Sequence, residues 1–168
     1  FVNDSDTTFL FHANASEQNS ILMEDDNGIR DDISIKAEGH TKISEQQQAI
    51  GGTSLRFDGT SDWLQLKRTD DLYLNSSTWT IEFNIRFDST SSQVISGDMD
   101  NTDLAWLIMT HQGHIKFWAS DNGSSWNVAS GYTIKSNFST STWYHIAIVK
   151  DSSSVVRAYV DGTENTGF

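Results

Sequence analysis

The clearest pattern along the chain is an alternation of apolar and polar positions with a period of two. Residues 78–87 read TWTIEFNIRF, so that Trp79, Ile81, Phe83, Ile85 and Phe87 fall on one face and polar side chains fall on the other. Successive side chains of a β-strand point to opposite faces of the sheet. The segment therefore predicts a half-buried strand with one apolar face.

Two further patterns predict hairpins. Residues 143–151, WYHIAIVKD, form a nearly continuous apolar run, and VVRAYV at 155–160 follows after a short polar loop. The two-residue link Gln112-Gly113 separates apolar runs at 104–110 and 114–119, as in a tight β-hairpin. We expect both pairs of runs to form adjacent antiparallel strands.

The rest of the chain predicts more short strands joined by polar loops. Further strands are predicted at 7–12, 53–57, 62–67 and 92–96, and loops at 12–32, 88–92, 98–103, 121–125 and 136–142. Helical periodicity is weak, and its best window, 41–50, has two isoleucines seven residues apart. Many short strands with turns between them predict an all-β fold, a two-sheet antiparallel β-sandwich or jelly roll.

Composition supports this fold class and narrows the function. The chain has 168 residues, a length that suits a single domain over residues 1–168, and 17 of its 23 acidic residues are Asp, which favours turns. Its net charge of −12 argues against nucleic-acid binding, because phosphate contacts need Lys and Arg. With no Cys it has no disulfide and no thiolate zinc site. No apolar run approaches the ~18 residues of a membrane helix, so we expect no membrane insertion.

Five segments together resemble a known family. They are SLRFDGTSDWLQL at 54–66, TWTIEFNIRF at 78–87, HIKFWASDNGSSWNVAS at 114–130, WYHIAIVKD at 143–151 and VRAYVDG at 156–162. In this order they resemble the concanavalin A-like lectin/glucanase superfamily, in its laminin-G-like or pentraxin-like branch, over about residues 5–162. The resemblance implies a two-sheet jelly roll, a fold that serves lectins, hydrolases, adhesion modules and structural proteins.

The chain departs from the family pattern at its end. Family members usually continue past the YVDG-like turn with further strands, whereas here only TENTGF follows Gly162. A missing strand would leave an open sheet edge, which attracts pairing. We therefore expect either a domain truncated at the C-terminus or a strand supplied by a neighbouring copy.

The hydrolase activity found in the superfamily is not expected here. Its glucanases carry the catalytic carboxylates close together on one strand, in the motif Glu-x-Asp-x-x-Glu. The matching strand of this chain carries a lone acid, Glu82, next to Asn84 and Arg86, and this arrangement indicates a salt bridge. We expect a protein without enzymatic activity, with a hydrolase of unrecognised site as the remaining alternative.

Acidic loops are the candidate metal sites. Asp98, Asp100 and Asp103 offer hard oxygen ligands within six residues, which is the chemistry of calcium. The loop lacks the glycine and the distant Glu of an EF-hand, so a solvated acidic loop is the other interpretation. Asp58 and Asp62 flank the turn Gly59-Thr60-Ser61, where an Asx-turn and a strand cap are expected.

Two tryptophans are the candidate ligand contacts. Trp126 follows the polar turn that holds Asp121 and Asn122, and Trp118 lies shortly before that turn. An exposed indole stacks on the C–H face of a sugar, while neighbouring Asp and Asn side chains bind its hydroxyl groups. The alternative for both indoles is packing on the sheet. His145, inside an apolar strand, is expected to be a hydrogen-bonded residue of the sheet.

These observations lead to two functional hypotheses. The first is an extracellular or virion-surface module that binds a glycan or cell-surface polysaccharide, with calcium as the cofactor that would order its loops. The second is a structural subunit, such as a capsid decoration, tail or fibre protein, whose partners are other copies of itself or virion proteins. Assembly state distinguishes them, because the second requires a defined oligomer or filament.

Overall fold

The described residues fold entirely into strands and connecting loops. A computed structural model of the chain describes residues 11, 13, 22–24, 34–66, 74, 78–99 and 103–166. Within these ranges the strands are β1 Leu22–Glu24, β2 Ser34–Glu38, β3 Lys42–Ser44, β4 Ser54–Arg56, β5 Trp63–Leu66, β6 Trp79–Arg86, β7 Gln93–Met99, β8 Leu104–His111, β9 His114–Gly123, β10 Ala129–Lys135, β11 Trp143–Lys150, β12 Val156–Val160 and β13 Thr163–Glu164. The same ranges hold no helix with the length and apolarity to span a bilayer.

The chain divides into two compact units, Phe1–Tyr73 and Leu74–Phe168. In the first unit, a sheet of order β1-β2-β5 accompanies the antiparallel pair β3-β4. Its buried cluster contains Ile35, Ala37 and Ile43. The single domain expected from the length of the chain stays a prediction.

The second unit is a sandwich of two antiparallel four-stranded sheets, of order β10-β9-β8-β7 and β13-β12-β11-β6. One buried cluster draws side chains from both sheets, among them Ile108, Ile115 and Phe117 from the first and Ile146, Ile148 and Ala158 from the second. Because a single cluster is shared, the two sheets pack face to face. The all-β, two-sheet antiparallel sandwich predicted from the sequence is confirmed.

The alternation of residues 78–87 determines which face of β6 is covered. Its apolar side chains pack against the shared cluster, and the ring of Trp79 lies 6.2 Å from that of Phe117 on the facing sheet. Just past the strand, Phe87 is buried with its ring 4.5 Å from that of Phe138. The apolar face predicted for this strand is therefore the face that forms the core.

Both predicted hairpins are present. The β8–β9 turn has φ of 51° at Gln112 and 77° at Gly113, and positive φ at both central positions defines the type I′ turn that suits the twist of a hairpin. Strands β11 and β12 pair antiparallel from Ile146↔Val160 to Lys150↔Val156. The two-residue link Gln112-Gly113 correctly predicted the β8–β9 turn, and the short polar loop before Val155 correctly predicted the β11–β12 hairpin.

Several strands differ from the sequence-based expectation. The weak helical window 41–50 contains strand β3, because Ile43 is buried and the backbone of β3 pairs with β4. The predicted loop 12–32 contains strand β1. Strands β7 and β9 continue into the predicted loops 98–103 and 121–125, because their pairing with β8 extends through polar residues. The strand predicted at 7–12 lies outside the described residues, except for Phe11, which is not in a strand.

The side chain of Asn165 links the two sheets of the sandwich near one edge. Its Nδ2 donates to the carbonyl oxygens of Thr133 and Ile134 on β10, at 2.8 Å each. Its backbone N–H donates to the carbonyl oxygen of Ala158 on β12. Asn165 therefore ties the end of the β12–β13 hairpin to the opposite sheet.

We expect Asn165→Ala to lower the free energy of unfolding by about 1–3 kcal/mol, because the part-buried carbonyl groups lose their donor. Chemical denaturation followed by tryptophan fluorescence measures this change. Ser152→Ala, in the exposed β11–β12 loop, is the control and should stay within about 0.5 kcal/mol. Equal stability of the two variants would contradict the linking role of Asn165.

Candidate functional site

Trp118 lies on the outer face of the β10-β9-β8-β7 sheet, the face opposite the shared buried cluster. The registers place Gly97, Leu107, Trp118 and Ser130 in one row across the four strands. Residues directly opposite in an antiparallel pair share a face. Neighbouring Phe117 is fully buried in the cluster, and Trp118 is half-buried on the other side.

A bulge in β10 makes room for the indole of Trp118. The pairing of β9 with β10 shifts register between Ser130 and Tyr132, and Gly131 between them has φ of 72°. A Cβ atom at Gly131 would lie 3.1 Å from Cζ2 and 3.3 Å from Nε1 of Trp118. The indole thus packs directly against the backbone at Gly131, where any other residue would crowd it. Glycine there fixes the position of the ring.

The last residues of β9 and the loop after it are held by their own polar side chains. Asn122 accepts hydrogen bonds at Oδ1 from the backbone N–H groups of Ser124 and Ser125, at 3.0 Å each. Asp121 and Asn127 are joined twice, since Asn127 Nδ2 donates to Asp121 Oδ1 and the N–H of Asp121 donates to Asn127 Oδ1. The sequence predicted Asp121 and Asn122 as ligand contacts, and the structure gives both a role in shaping the loop. Both residues are exposed, and ligand contact stays a prediction for them.

Trp126 lies in the same loop, between Ser125 and Asn127, and is half-buried. It follows the turn capped by Asn122 and precedes the residue that is paired with Asp121. The internal hydrogen bonds on both sides hold the backbone that carries this indole. Ligand contact stays a prediction for Trp126.

The predicted metal loop and the predicted ligand loop meet at one end of this sheet. Met99 of β7 pairs with Leu104 of β8, which pairs with Gly123 of β9. A Cβ atom at Gly123 would lie 2.8 Å from Oδ1 of Asp103, so this carboxylate lies against the start of the loop. Asp98 is half-buried near the end of β7, whereas Asp100 lies outside the described residues. Carboxylate oxygens suit calcium, and the site itself stays a prediction.

The all-β sandwich agrees with a comparison against family models. Residues 58–168 match the laminin G model described as the concanavalin A-like lectin/glucanases superfamily. The chain belongs to this superfamily. Comparisons with curated proteins and with solved structures found no match.

Glucanase chemistry at Glu82 would need a second carboxyl group nearby. The structure instead places the imidazole of His145 against Glu82. Nε2 of His145 lies 2.7 Å from Oε1 of Glu82 on the outer face of the other sheet. The register pairs His145 with Asn84, so His145 is diagonal to Glu82 across the β6–β11 ladder. The expectation that His145 is a hydrogen-bonded sheet residue is confirmed.

The salt-bridge partner that the sequence suggested for Glu82 is wrong. Arg86 instead contacts Asp88, with Nη1 2.5 Å from Oδ1. Glu82 and Arg86 are four positions apart on the strand, so they share a face but their Cα atoms lie about 13 Å apart. The diagonal cross-strand position, by contrast, is within reach of a long side chain. Only the pairing of β6 with β11 brings His145 to Glu82, and no local pattern in the sequence records that pairing.

The turn at residues 58–62 has the geometry expected from the sequence. Asp58 Oδ1 accepts from the N–H of Thr60 at 2.7 Å, which is an Asx-turn. Asp62 accepts from the N–H groups of Asp58 at 2.6 Å and His40 at 2.5 Å. The ring Nδ1 of His40 also lies 3.1 Å from Oδ2 of Asp58.

This His40–Asp58–Asp62 group has ligand atoms within 4.8 Å of one another and could accept a metal ion by distance alone. Each of its four carboxylate oxygens already has a hydrogen-bond partner within the turn. The structural role of the two aspartates therefore accounts for the arrangement.

The hydrogen bonds to Asp62 predict a pH dependence. The N–H of Asp58, followed by that of His40, stabilises the ionised form and lowers the pKa of Asp62 below its usual 3.8. A lowered folded-state pKa adds stability above the unfolded value, and this stability is lost as pH falls through the folded value. We expect a carboxyl titration of Asp62 by NMR to show a midpoint below 3.8. A midpoint at or above that value would contradict these hydrogen bonds.

Proposed function

We propose that the chain is a non-enzymatic glycan-binding or adhesion module, whose sugar platform is the outer face of the β10-β9-β8-β7 sheet around Trp118. The observation that carries the proposal is the indole of Trp118, half-buried on this face and packed against the backbone at Gly131. A ring that is already fixed in place loses little conformational freedom on stacking against a sugar. A pre-positioned, half-buried aromatic side chain suits a neutral ligand on an acidic protein.

Polar groups near the platform supply the hydrogen bonds that a sugar requires. Lys116 lies two residues before Trp118 on the same strand face, and Asp121 and Asn122 are exposed residues near the end of that strand. The hydrogen bonds within the loop hold these side chains in fixed positions. Such a loop can recognise hydroxyl groups without first being ordered by the ligand.

Two observations support a protein that binds sugars without cleaving them. Strand β6 carries one carboxylate on its outer face, and Nε2 of His145 lies 2.7 Å from it. Retaining glycosidases need a second carboxyl group about 5–5.5 Å away.

We propose calcium as an ordering ion for the loop of Asp98, Asp100 and Asp103, and an extracellular or virion-surface location for the module.

A glycan array probed with the purified chain, in calcium and then in a calcium chelator, tests the proposal. We expect binding to a limited set of sugars, weakened by the chelator if calcium orders the loop. Absence of binding to every sugar in both conditions would overturn the proposal. Binding unaffected by the chelator would retain the glycan function and remove calcium from it.

A second candidate function is a structural subunit that assembles with copies of itself or with other virion proteins. Val94 and Met99 on β7 are 64% and 49% exposed. Within the described residues, β7 lies at the edge of its sheet, with β8 as its hydrogen-bonded neighbour. Exposed apolar edge strands favour pairing between chains. Light scattering that shows a defined oligomer or filament would favour this function, and a monomer would favour the lectin.

A further inference from the structure

Two cations lie side by side on the small β3-β4 sheet of the first unit. The register pairs Lys42 with Arg56 and Ile43 with Leu55. Ile43 is buried, so the two cations share the opposite face, where both are exposed. Like charges directly opposite each other destabilise an antiparallel pair. The fold therefore holds these two charges together against their mutual repulsion.

Among the described residues, no carboxylate forms an ion pair with either cation. The chain has 23 acidic residues and 11 basic ones, so acidic partners are abundant. Among the described residues of this unit, the ion pairs join Lys36 to Glu38 and His40 to Asp58, and none reaches Lys42 or Arg56. Both cations keep donors available for a group that is not part of the described chain.

The same two side chains line a cavity of about 490 Å³, together with His40, Thr41 and Asp58. The other polar groups of the lining already have partners within the protein. Thr41 donates its hydroxyl to the carbonyl oxygen of Glu38, and Asp58 accepts from Thr60 and contacts the ring of His40. The lining thus carries two cations without an ion-pair partner among the described residues and one carboxylate, Asp58, which lies 3.1 Å from the ring of His40.

We infer that this cavity is a binding site for a tetrahedral oxyanion, the sulfate or phosphate group of a ligand. The guanidinium of Arg56 offers a planar fork of donors that matches two oxygens of such a group, and the ammonium of Lys42 adds a compact charge beside it. A bound anion would neutralise the repulsion between the two cations. The site uses residues of the other unit and does not depend on the glycan platform at Trp118.

Titration with sodium sulfate and then sodium phosphate, followed by backbone amide NMR and compared with sodium chloride at equal ionic strength, tests the inference. We expect saturable shifts at residues 40–58 with either oxyanion but not with chloride. Lys42→Gln and Arg56→Gln should each weaken the affinity by about tenfold, which corresponds to about 1.4 kcal/mol. Lys36→Gln removes the same charge from an exposed position of the same unit and should bind as the wild type does.

Wild-type protein without saturable shifts, or Arg56→Gln with unchanged affinity, would overturn the inference. A stability measurement in chloride provides an independent check, because removal of either cation should raise the thermal midpoint by relieving repulsion. A lowered midpoint in both variants would mean that the pair is a structural feature, which also overturns the inference.

The ligand's source is distinguished by comparing a sulfated disaccharide with inorganic sulfate. Tighter binding of the disaccharide would identify a sulfate ester as the ligand, and equal binding would identify the free ion.

Discussion

Replacing Phe117 with alanine is expected to lower the free energy of unfolding by about 3–5 kcal/mol. Phe117 is fully buried, and its ring lies 6.2 Å from that of Trp79 on the facing sheet. The truncation removes apolar contact from both sheets at once and leaves a cavity that the neighbouring strands close only in part. Urea denaturation followed by intrinsic fluorescence measures the loss.

Phe57→Ala is the matched control for this prediction. Phe57 is 47% exposed, so the same change of side chain should cost much less there. Surface substitutions usually stay within about 0.5 kcal/mol. If the two variants lost similar amounts, the shared buried cluster would not be what joins the two sheets.

Trp118→Ala is expected to weaken binding of the glycan identified on the array by about 2 kcal/mol, or roughly 30-fold. The indole supplies the apolar surface on which the sugar ring stacks, and alanine supplies almost none. Isothermal titration calorimetry with that glycan measures the change. The circular dichroism spectrum should stay that of the wild type, because the indole is only half-buried.

Trp63→Ala is the control, since Trp63 is 50% exposed and belongs to the other unit. Its affinity for the glycan should equal that of the wild type. Gly131→Ala adds a second test, because the new methyl group would lie 3.1 Å from the ring and displace it without removing it. Unchanged affinity in both Trp118→Ala and Gly131→Ala would place the glycan elsewhere on the molecule.

Six strands of the second unit, β6 to β9, β11 and β12, could be predicted because their local patterns carry most of the information, whereas β10 and β13 were not predicted. The alternation at 78–87 identified both the strand and its buried face, and Gln112-Gly113 identified the β8–β9 turn. The short strands β1, β3 and β13 have only two or three residues each, too few to show a period. These strands form because a neighbouring strand satisfies their backbone groups.

The candidate sites likewise divide into those formed by residues close in sequence and those formed by the pairing of distant strands. The Asx-turn at Asp58 involves residues within four positions of one another, and its geometry followed from residue types alone. The contact between His145 and Glu82 joins positions 63 residues apart, and the sequence suggested a different partner for Glu82. Asp121 and Asn122 were predicted as ligand contacts in a polar turn, and only the tertiary structure showed their hydrogen bonds within that segment.

The sequence by itself determined the all-β class, the inward face of β6 and the hairpin turns, because each depends on side chains that are neighbours along the chain. Tertiary structure alone decided that Gly131 supports Trp118, that His145 contacts Glu82 and that Lys42 faces Arg56. These three arrangements depend on strand register, which the burial of a whole sheet face selects. A shift of one residue would send every one of these side chains to the other face.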